Sequence, residues 1–241
     1  MSKMIAVCGS PESGKTTAAL KLAQELYFAK KGTVLFLSPD MSVPALSYLF
    51  PHCKESELYS IGKALDKTDI YKEDVMKQIV SVKTMLNFGF LGFKTGENKF
   101  SYPRPTEDKV TALFNAMGEL ADYVVVDCVS DADDLISRMA MRDSASLIEM
   151  LTPDIKCMAY YSSQGDMFPS DENRVIKVMS ICDRDLYLPI EETKTHFKNV
   201  IFTLPYSRAL KQQVITGTLS ERLADRKYRE QIAEIAKKVV A

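Results

Sequence analysis

Short apolar runs alternate along this chain with longer segments in which apolar residues recur every three or four positions. The short runs are residues 4–8, 33–37, 86–93, 123–127, 146–151, 175–181 and 199–204. Strand-like runs separated by helical segments are typical of βαβ units. Residues 34–37 and 123–126 are apolar on both faces, as in a parallel sheet covered by helices. The sequence therefore predicts an α/β fold: a three-layer, doubly wound, mostly parallel sheet with its ligand outside the carboxyl ends of the strands.

Two long segments have clear helical stripes. Residues 13–30 place Ala18, Leu22, Leu26 and Ala29 on one face and lead to Gly32, which suits a helix C-cap. Residues 225–240 carry a second stripe, which consists of Ile232, Ile235, Ala236 and Val239. We expect this stripe to pack on the sheet, because it lacks the large aromatic and leucine side chains of a membrane-seeking helix. Contact with DNA or membrane is open but has no support in the sequence.

Two other segments interrupt the alternation. Residues 51–83 indicate a mostly helical insertion of mixed polarity. Residues 89–105 are rich in glycine, proline and aromatic residues, which indicates a long loop. That loop is either part of the ligand-binding edge or a plain surface connection.

Composition changes this picture little. The 241 residues are 46% hydrophobic and 26% charged, which suits one globular domain spanning 1–241. A net charge of −1 gives no global attraction for nucleic acid. Five cysteines without a C-x-x-C spacing indicate reduced thiols, and no apolar run is long enough to span a bilayer. We therefore expect a cytoplasmic protein, in which Cys8 and Cys128 are buried filler.

The richest chemistry lies between the first strand and the first helix, where the chain reads G-x-x-x-x-G-K-T. The predicted nucleotide-binding residues here are Gly9, Ser10, Pro11, Glu12, Ser13, Gly14, Lys15, Thr16 and Thr17. Gly9 and Gly14 permit a backbone that turns its N–H groups inward around an anion, and the helix N-terminus adds donors and partial positive charge. Lys15 is then expected to reach the β- and γ-phosphates, and the Thr16 hydroxyl to hold Mg²⁺. The predicted ligand is ATP or ADP with Mg²⁺.

Two aspartates complete the predicted site. Asp127 closes an apolar run, so its carboxylate is expected at the end of a central strand, where it binds Mg²⁺ directly or through a metal-bound water. Asp40 follows the second strand at the same edge, where it orients the attacking water or holds a metal-bound one. Its alternative role is to cap a helix over residues 43–50, and Ser42 competes for that position. Lys15, Asp40 and Asp127 are thus the catalytic candidates, with Thr16, Asp40 and Asp127 around the metal.

These segments together resemble the MinD/ParA group of P-loop ATPases over nearly the whole chain. The similar segments are residues 9–17, 37–42, 122–127, 147–154 and 202–207. The resemblance implies a P-loop NTPase fold, a nucleotide-dependent homodimer, a protein partner and slow, partner-stimulated ATP hydrolysis. It also implies a set of residues next to the adenine base, namely Cys182, Asp183, Pro205, Tyr206 and Ser207.

The chain also departs from the pattern of that group. The group usually has a lysine after its first glycine, which reaches the nucleotide of a dimer partner, whereas this chain has Ser10. The group usually has a glycine a few residues after the aspartate that corresponds to Asp127, whereas this chain continues Cys128-Val129-Ser130-Asp131. Pro11 and Glu12 add rigidity and a negative charge to the loop, and we expect Glu12 to point to solvent. We therefore keep an ATP-gated interaction protein with little or no hydrolysis as the alternative function. A P-loop small-molecule kinase is less favoured, because no acceptor or lid motif is evident.

Overall fold

One sheet organises the chain, and the computed structural model describes residues 2–29, 32–82, 84–169, 171, 173–185 and 188–241 of it. The strands in these residues are β1 (Lys3–Gly9), β2 (Val34–Ser38), β3 (Val80–Val82), β4 (Met85–Gly92), β5 (Tyr123–Asp127), β6 (Ser146–Leu151), β7 (Val175–Ser180) and β8 (Val200–Leu204). They lie in the order β3-β4-β2-β5-β1-β6-β7-β8. Neighbours are parallel except for β3, which pairs antiparallel with β4 at one edge. The predicted α/β fold with a mostly parallel sheet is confirmed.

Helices cover both faces of the sheet. They are α1 (Lys15–Phe28), α2 (Ala45–Leu49), α3 (Gly62–Leu65), α4 (Lys72–Met76), α5 (Glu107–Leu120), α6 (Leu135–Asp143), α7 (Ile155–Gln164), α8 (Ile190–Phe197), α9 (Arg208–Thr216) and α10 (Arg226–Val240). Side chains alternate along β1, because successive residues of a strand point to opposite faces. Ile5 and Val7 join a core with α1 and α10, whereas Ala6 and Cys8 join a second core with α5 and α6. These two cores and the sheet between them make the three predicted layers.

The terminal helix packs as its apolar stripe predicts. Ile232, Ile235, Ala236 and Val239 of α10 are buried in the core that α1 shares. Arg226, Lys237 and other charged residues lie on the opposite side of the same helix. No helix in the described part of the chain combines the length and hydropathy needed to cross a membrane.

The middle of α1 is tied to the connection between α9 and α10. The Lys21 ammonium donates to the carbonyl oxygens of Leu219 at 2.7 Å and of Glu221 at 2.8 Å. The Gln24 side-chain amide donates to the Ser220 carbonyl oxygen at 2.6 Å. These buried polar groups therefore satisfy one another instead of water. The predicted end of this first helix at Lys30 lies outside the described residues.

All seven predicted strands are present, and their ends lie within one residue of the predicted ones. The three-residue strand β3 is an addition that the sequence did not predict. It lies inside the segment predicted as a mostly helical insertion, and that prediction is wrong. Between residues 51 and 82 the structure has one 3₁₀ turn (Glu55–Glu57) and two short helices besides β3. Lys83, the predicted end of the insertion, lies outside the described residues.

The predicted loop over residues 89–105 begins too early. Gly89 and Gly92 belong to β4, and the irregular segment runs from residue 93 to residue 106. A Cβ at Gly89 would lie 2.7 Å from a methyl group of Leu35 on β2 and 2.6 Å from one of Ile79. Glycine here therefore lets neighbouring side chains cross close to the strand, and it does not mark a turn.

Candidate functional site

The carboxyl ends of three adjacent strands bring the predicted site residues to one edge. The order β2-β5-β1 places the ends of these strands side by side, and Val7 of β1 pairs with Asp127 of β5. The loop after β1 holds Lys15 and Thr16 at its helical end, and the loop after β2 holds Asp40. The sheet thus assembles residues that lie far apart in sequence.

The loop over residues 9–14 has the backbone of an anion cradle. Gly9 and Gly14 have φ angles of +150° and +80°, which favour glycine. A Cβ at Gly9 would collide with the Met150 carbonyl oxygen of β6. The carbonyl oxygen of Ser10 accepts hydrogen bonds from the Ser13 hydroxyl at 2.8 Å and the Ser13 N–H at 3.3 Å. The first N–H groups of α1 have no helical carbonyl to bond, so they are available to a ligand.

Positions 10–12 of this loop differ in exposure: Pro11 and Glu12 are exposed, and Ser10 is buried. Glu12 has a φ of +63°, and its side chain is 81% exposed, with the Lys156 ammonium 3.4 Å away. The expectation that Glu12 points to solvent is confirmed. Pro11 is also exposed. Ser10, which stands where the MinD/ParA group usually has a lysine, is only 1% exposed, so its side chain does not extend beyond the protein surface.

Lys15 lies inside the cradle. Its ammonium donates to the Ser10 carbonyl oxygen at 2.8 Å and to the Ser130 hydroxyl at 2.6 Å. The Ser130 hydroxyl in turn donates to the Gly9 carbonyl oxygen at 2.9 Å. Burial lowers the pKa of Lys15, and the negative charge of Asp127 opposes that shift. The lysine is therefore held over the loop at the point where phosphates are expected.

Asp127 is buried at the end of β5, with 4% of its surface exposed. Its Oδ2 accepts a hydrogen bond from the Ser38 hydroxyl at 3.1 Å, whereas its Oδ1 has no partner among the described residues. Burial raises the pKa of this carboxyl to about 6, although Thr16, Lys15 and Ser38 act to lower it. A buried carboxylate oxygen without a partner, beside a threonine hydroxyl, has the donor chemistry that Mg²⁺ prefers.

The described residues do not hold a metal with protein groups alone. No cluster of three or more histidine, cysteine, aspartate or glutamate side chains is suited to a metal ion in the described part of the chain. A Mg²⁺ ion at Thr16 and Asp127 would therefore complete its shell with phosphate oxygens and water, as this ion commonly does.

Asp40 is engaged in a local turn. Its Oδ1 accepts hydrogen bonds from the N–H groups of Ser42 at 2.7 Å and Val43 at 2.9 Å. The following helix begins at Ala45 with Pro44 as its N-cap, so neither Asp40 nor Ser42 caps that helix. One oxygen of Asp40 is left for a water or a metal ligand, which keeps its catalytic role as a prediction.

A cavity of about 300 Å³ opens beside the cradle, and four of the five residues proposed near the base line it. They are Cys182, Pro205, Tyr206 and Ser207, and the loop contributes Glu12, Gly14 and Thr17. Asp183 is not among the lining residues. The Tyr206 ring lies 5.3 Å from the Arg184 guanidinium and 6.0 Å from the Lys211 ammonium. The Ser207 hydroxyl accepts the Leu210 N–H at 3.2 Å and so caps α9.

Three residues of this site carry no sequence signal of their own. The Ser38 hydroxyl donates a hydrogen bond to Asp127, and the Ser130 hydroxyl accepts one from Lys15. Tyr48 reaches the site from α2. Burial and the charge of Asp127 raise the pKa of Tyr48, and a hydrogen bond to Thr16 lowers it. Ser38 ends β2 and Ser130 follows the end of β5, so both lie at the carboxyl edge of the sheet, which is the one feature that could have indicated them.

No protein-family model matches the sequence, and no curated protein matches it. Solved structures do match. A ParA family ATPase from Chlorobium tepidum has a TM-score of 0.75 at 12% identity, covering 98% of both chains. The septum site-determining protein MinD with Mg-ADP from Pyrococcus horikoshii has a TM-score of 0.71 at 16% identity, covering 99% of this chain and 96% of the other. A MinC:MinD complex from Aquifex aeolicus matches with a TM-score of 0.68 at 16% identity, covering 99% and 96%. At these identities the likeness establishes the fold.

Proposed function

We propose that this chain, which has the fold of the ParA and MinD ATPases, is a Mg²⁺-dependent ATP-binding switch that hydrolyses ATP slowly. In this proposal Lys15 and the loop N–H groups bind the phosphates, and Thr16 and Asp127 hold Mg²⁺. Asp40 positions water, and the cavity beside Tyr206 takes the base. ATP binding favours a homodimer, and a protein partner stimulates turnover.

The observation that carries the proposal is the unpartnered Oδ1 of Asp127. Burying a carboxylate oxygen without a hydrogen bond is unfavourable, so such atoms are rare unless a ligand satisfies them. This oxygen lies on the strand next to the cradle, with Lys15 and Thr16 acting on the same carboxyl. A bound Mg²⁺ would neutralise charge on the phosphates and on Asp127. The MinD protein of Pyrococcus horikoshii, which shares the fold, was solved with Mg-ADP.

The cavity beside the cradle favours a nucleotide over free phosphate. Its wall combines the Tyr206 ring, Pro205 and the apolar part of α9, and one end is formed by Gly14 and Thr17 of the cradle. A ligand with a flat apolar part joined to phosphates therefore has a surface for each part.

Calorimetric titration tests nucleotide binding. We expect the chain to bind Mg-ATP and Mg-ADP, and Lys15→Ala to abolish that binding without loss of the folded state. Lys72→Ala is a matched control, because it removes an exposed lysine that pairs with Glu119 at 3.6 Å on the helical surface. Retained affinity in Lys15→Ala, or equal loss in both variants, would refute the assignment.

A second candidate function is an ATP-gated interaction protein with little or no hydrolysis. The engagement of Asp40 in a turn favours it, because one carboxylate oxygen already accepts two backbone N–H groups. Phosphate release separates the two candidates. Steady turnover that is lost in Asp40→Ala supports the ATPase, whereas ATP binding without turnover supports the gated binder.

Light scattering tests the proposed dimer. A mass that doubles with a non-hydrolysable ATP analogue but not with ADP is the expected result. A monomer in both nucleotides would contradict a dimerisation switch while leaving nucleotide binding intact. The existence of a MinC:MinD complex in Aquifex aeolicus supports a search for a protein partner.

A further inference from the structure

Glu12 lies at the junction between the phosphate cradle and the adjoining cavity. It belongs to the loop over residues 9–14, and with Gly14 and Thr17 it also lines the cavity of about 300 Å³ whose wall carries Tyr206. A nucleotide has its ribose between its phosphates and its base. With the phosphates in the cradle and the base against Tyr206, the ribose therefore passes Glu12.

The backbone of Glu12 sets the direction in which its side chain leaves the loop. Its φ of +63° is a left-handed conformation that residues other than glycine seldom adopt. The neighbouring Ser13 holds the loop with two hydrogen bonds to the Ser10 carbonyl oxygen. The Glu12 side chain is largely exposed while it lines the cavity. Its carboxylate therefore lies at the mouth of the cavity, where a ligand can reach it.

The other polar side chains of the cavity offer few free acceptors. The Ser180 hydroxyl and the Cys182 thiol bond each other at 3.3 Å, and the Ser207 hydroxyl caps α9. Lys211 has donors only. Among the described lining residues, Glu12 is the one carboxylate. A carboxylate accepts hydrogen bonds from ribose hydroxyls, as acidic residues do in dinucleotide-binding folds.

Lys156 offsets the charge that Glu12 brings to this junction. A carboxylate without a counter-charge would repel the phosphates of a nucleotide. The Lys156 ammonium, in the first turn of α7, lies 3.4 Å from a carboxylate oxygen of Glu12. Both side chains are more than four-fifths exposed, and such a pair does little to hold either partner in place. We therefore expect Lys156 to act on nucleotide affinity as a whole and not on the ribose.

We propose that the Glu12 carboxylate accepts hydrogen bonds from the ribose hydroxyls of the bound nucleotide and so selects ribonucleotides over deoxyribonucleotides. This role of Glu12 rests on the proposed function, in which the cradle binds phosphates and the cavity takes the base. A nucleotide without these hydroxyls leaves the carboxylate in water. Contacts to the phosphates and to the base cannot make this distinction, because both nucleotides share them.

Calorimetry with Mg-ADP and Mg-2′,3′-dideoxy-ADP tests the contact without turnover. We expect the wild type to bind ADP about tenfold tighter than the dideoxy nucleotide, the effect of one hydrogen bond to a charged group. Glu12→Ala is expected to bind the two nucleotides within about twofold of each other. Glu12→Gln keeps a neutral acceptor and is expected to retain a preference of about threefold.

Lys156→Ala is the matched control, because it removes the counter-charge and keeps the carboxylate. It is expected to weaken both nucleotides equally and to keep the preference for ADP at about tenfold. The ratio of the two affinities does not change when a variant merely lowers the folded fraction.

Three results would overturn the role of Glu12 and leave nucleotide binding intact. They are equal binding of both nucleotides by the wild type, an unchanged preference in Glu12→Ala, and a preference lost in Lys156→Ala as fully as in Glu12→Ala. A wild type that binds neither nucleotide would refute the proposed function, and the role of Glu12 with it.

Discussion

The buried carboxyl of Asp127 predicts that a substitution in the candidate site stabilises the nucleotide-free protein. Its pKa rises from 3.8 to about 6, chiefly because burial disfavours the ionised form. Each pKa unit is worth about 1.4 kcal/mol, so keeping this carboxylate ionised at pH 7 costs about 3 kcal/mol. Asp127→Asn removes the charge but leaves a buried amide N–H without a partner, which destabilises the variant by about 1 kcal/mol and so offsets part of the gain. We expect a net gain of about 2 kcal/mol in the free energy of unfolding.

Urea unfolding of nucleotide-free protein at pH 7 measures this gain. The exposed Asp69→Asn is the control, because it makes the same change in net charge without burial. The native state of the wild type holds more protons than the unfolded state between about pH 4 and 6, since its pKa is the higher one. Wild-type stability from this group therefore falls as the pH rises through that window, and the advantage of Asp127→Asn shrinks toward pH 4. An Asp127→Asn variant that is no more stable than the wild type at pH 7 would show that the buried charge of Asp127 does not destabilise the nucleotide-free protein.

Further predictions concern binding and packing. Below pH 6, the affinity for Mg-ATP measured by calorimetry should fall about tenfold per pH unit, because Asp127 must be ionised to bind Mg²⁺. An affinity at pH 5 equal to that at pH 6 would contradict this prediction. Gly9→Ala should abolish nucleotide binding and lower the unfolding free energy by about 3 kcal/mol, because its Cβ meets the Met150 carbonyl oxygen at a φ of +150°. Ile232→Ala, at 2% exposure, should lose about 3 kcal/mol in thermal or urea unfolding, whereas Ile215→Ala, at 72% exposure, should be near neutral; equal effects would be evidence against the packing of α10.

Strands with a strong sequence signal were predictable to within one residue. The clearest of them, Val34–Ser38 and Tyr123–Asp127, contain continuous apolar runs, and a strand buried on both faces leaves little choice of residue. The segment Val80–Val82 has no such signal, because an edge strand of three residues is defined by its pairing with β4. Gly89 and Gly92 of β4 were misread as part of a loop, because the groups that crowd them are close only after folding. These groups belong to Leu35 and Ile79 at Gly89, and to Ser38 and Leu46 at Gly92.

The position of the cradle and of Asp127 in the fold was also predictable from the local sequence. Their local sequence requires a backbone turn or a strand end, which fixes their position at the carboxyl edge. Ser38, Tyr48 and Ser130 were not singled out, because a serine or tyrosine is common in any loop and their importance depends on what lies across from them. Asp40 was assigned to water or to a helix cap, and its bonds to Ser42 and Val43 depend on a turn that only the structure displays.

The attachment of Lys21 and Gln24 to residues 219–221 has a consequence for the entropy of binding. The connection they hold joins α9 to α10, and both helices supply the wall of the cavity, through Leu210 and Tyr228. The helix that begins with Lys15 is thus tied to the connection between two helices that line the cavity. A ligand that fills the cavity meets a wall that these hydrogen bonds already order, so less of its interaction energy is lost in arranging the protein.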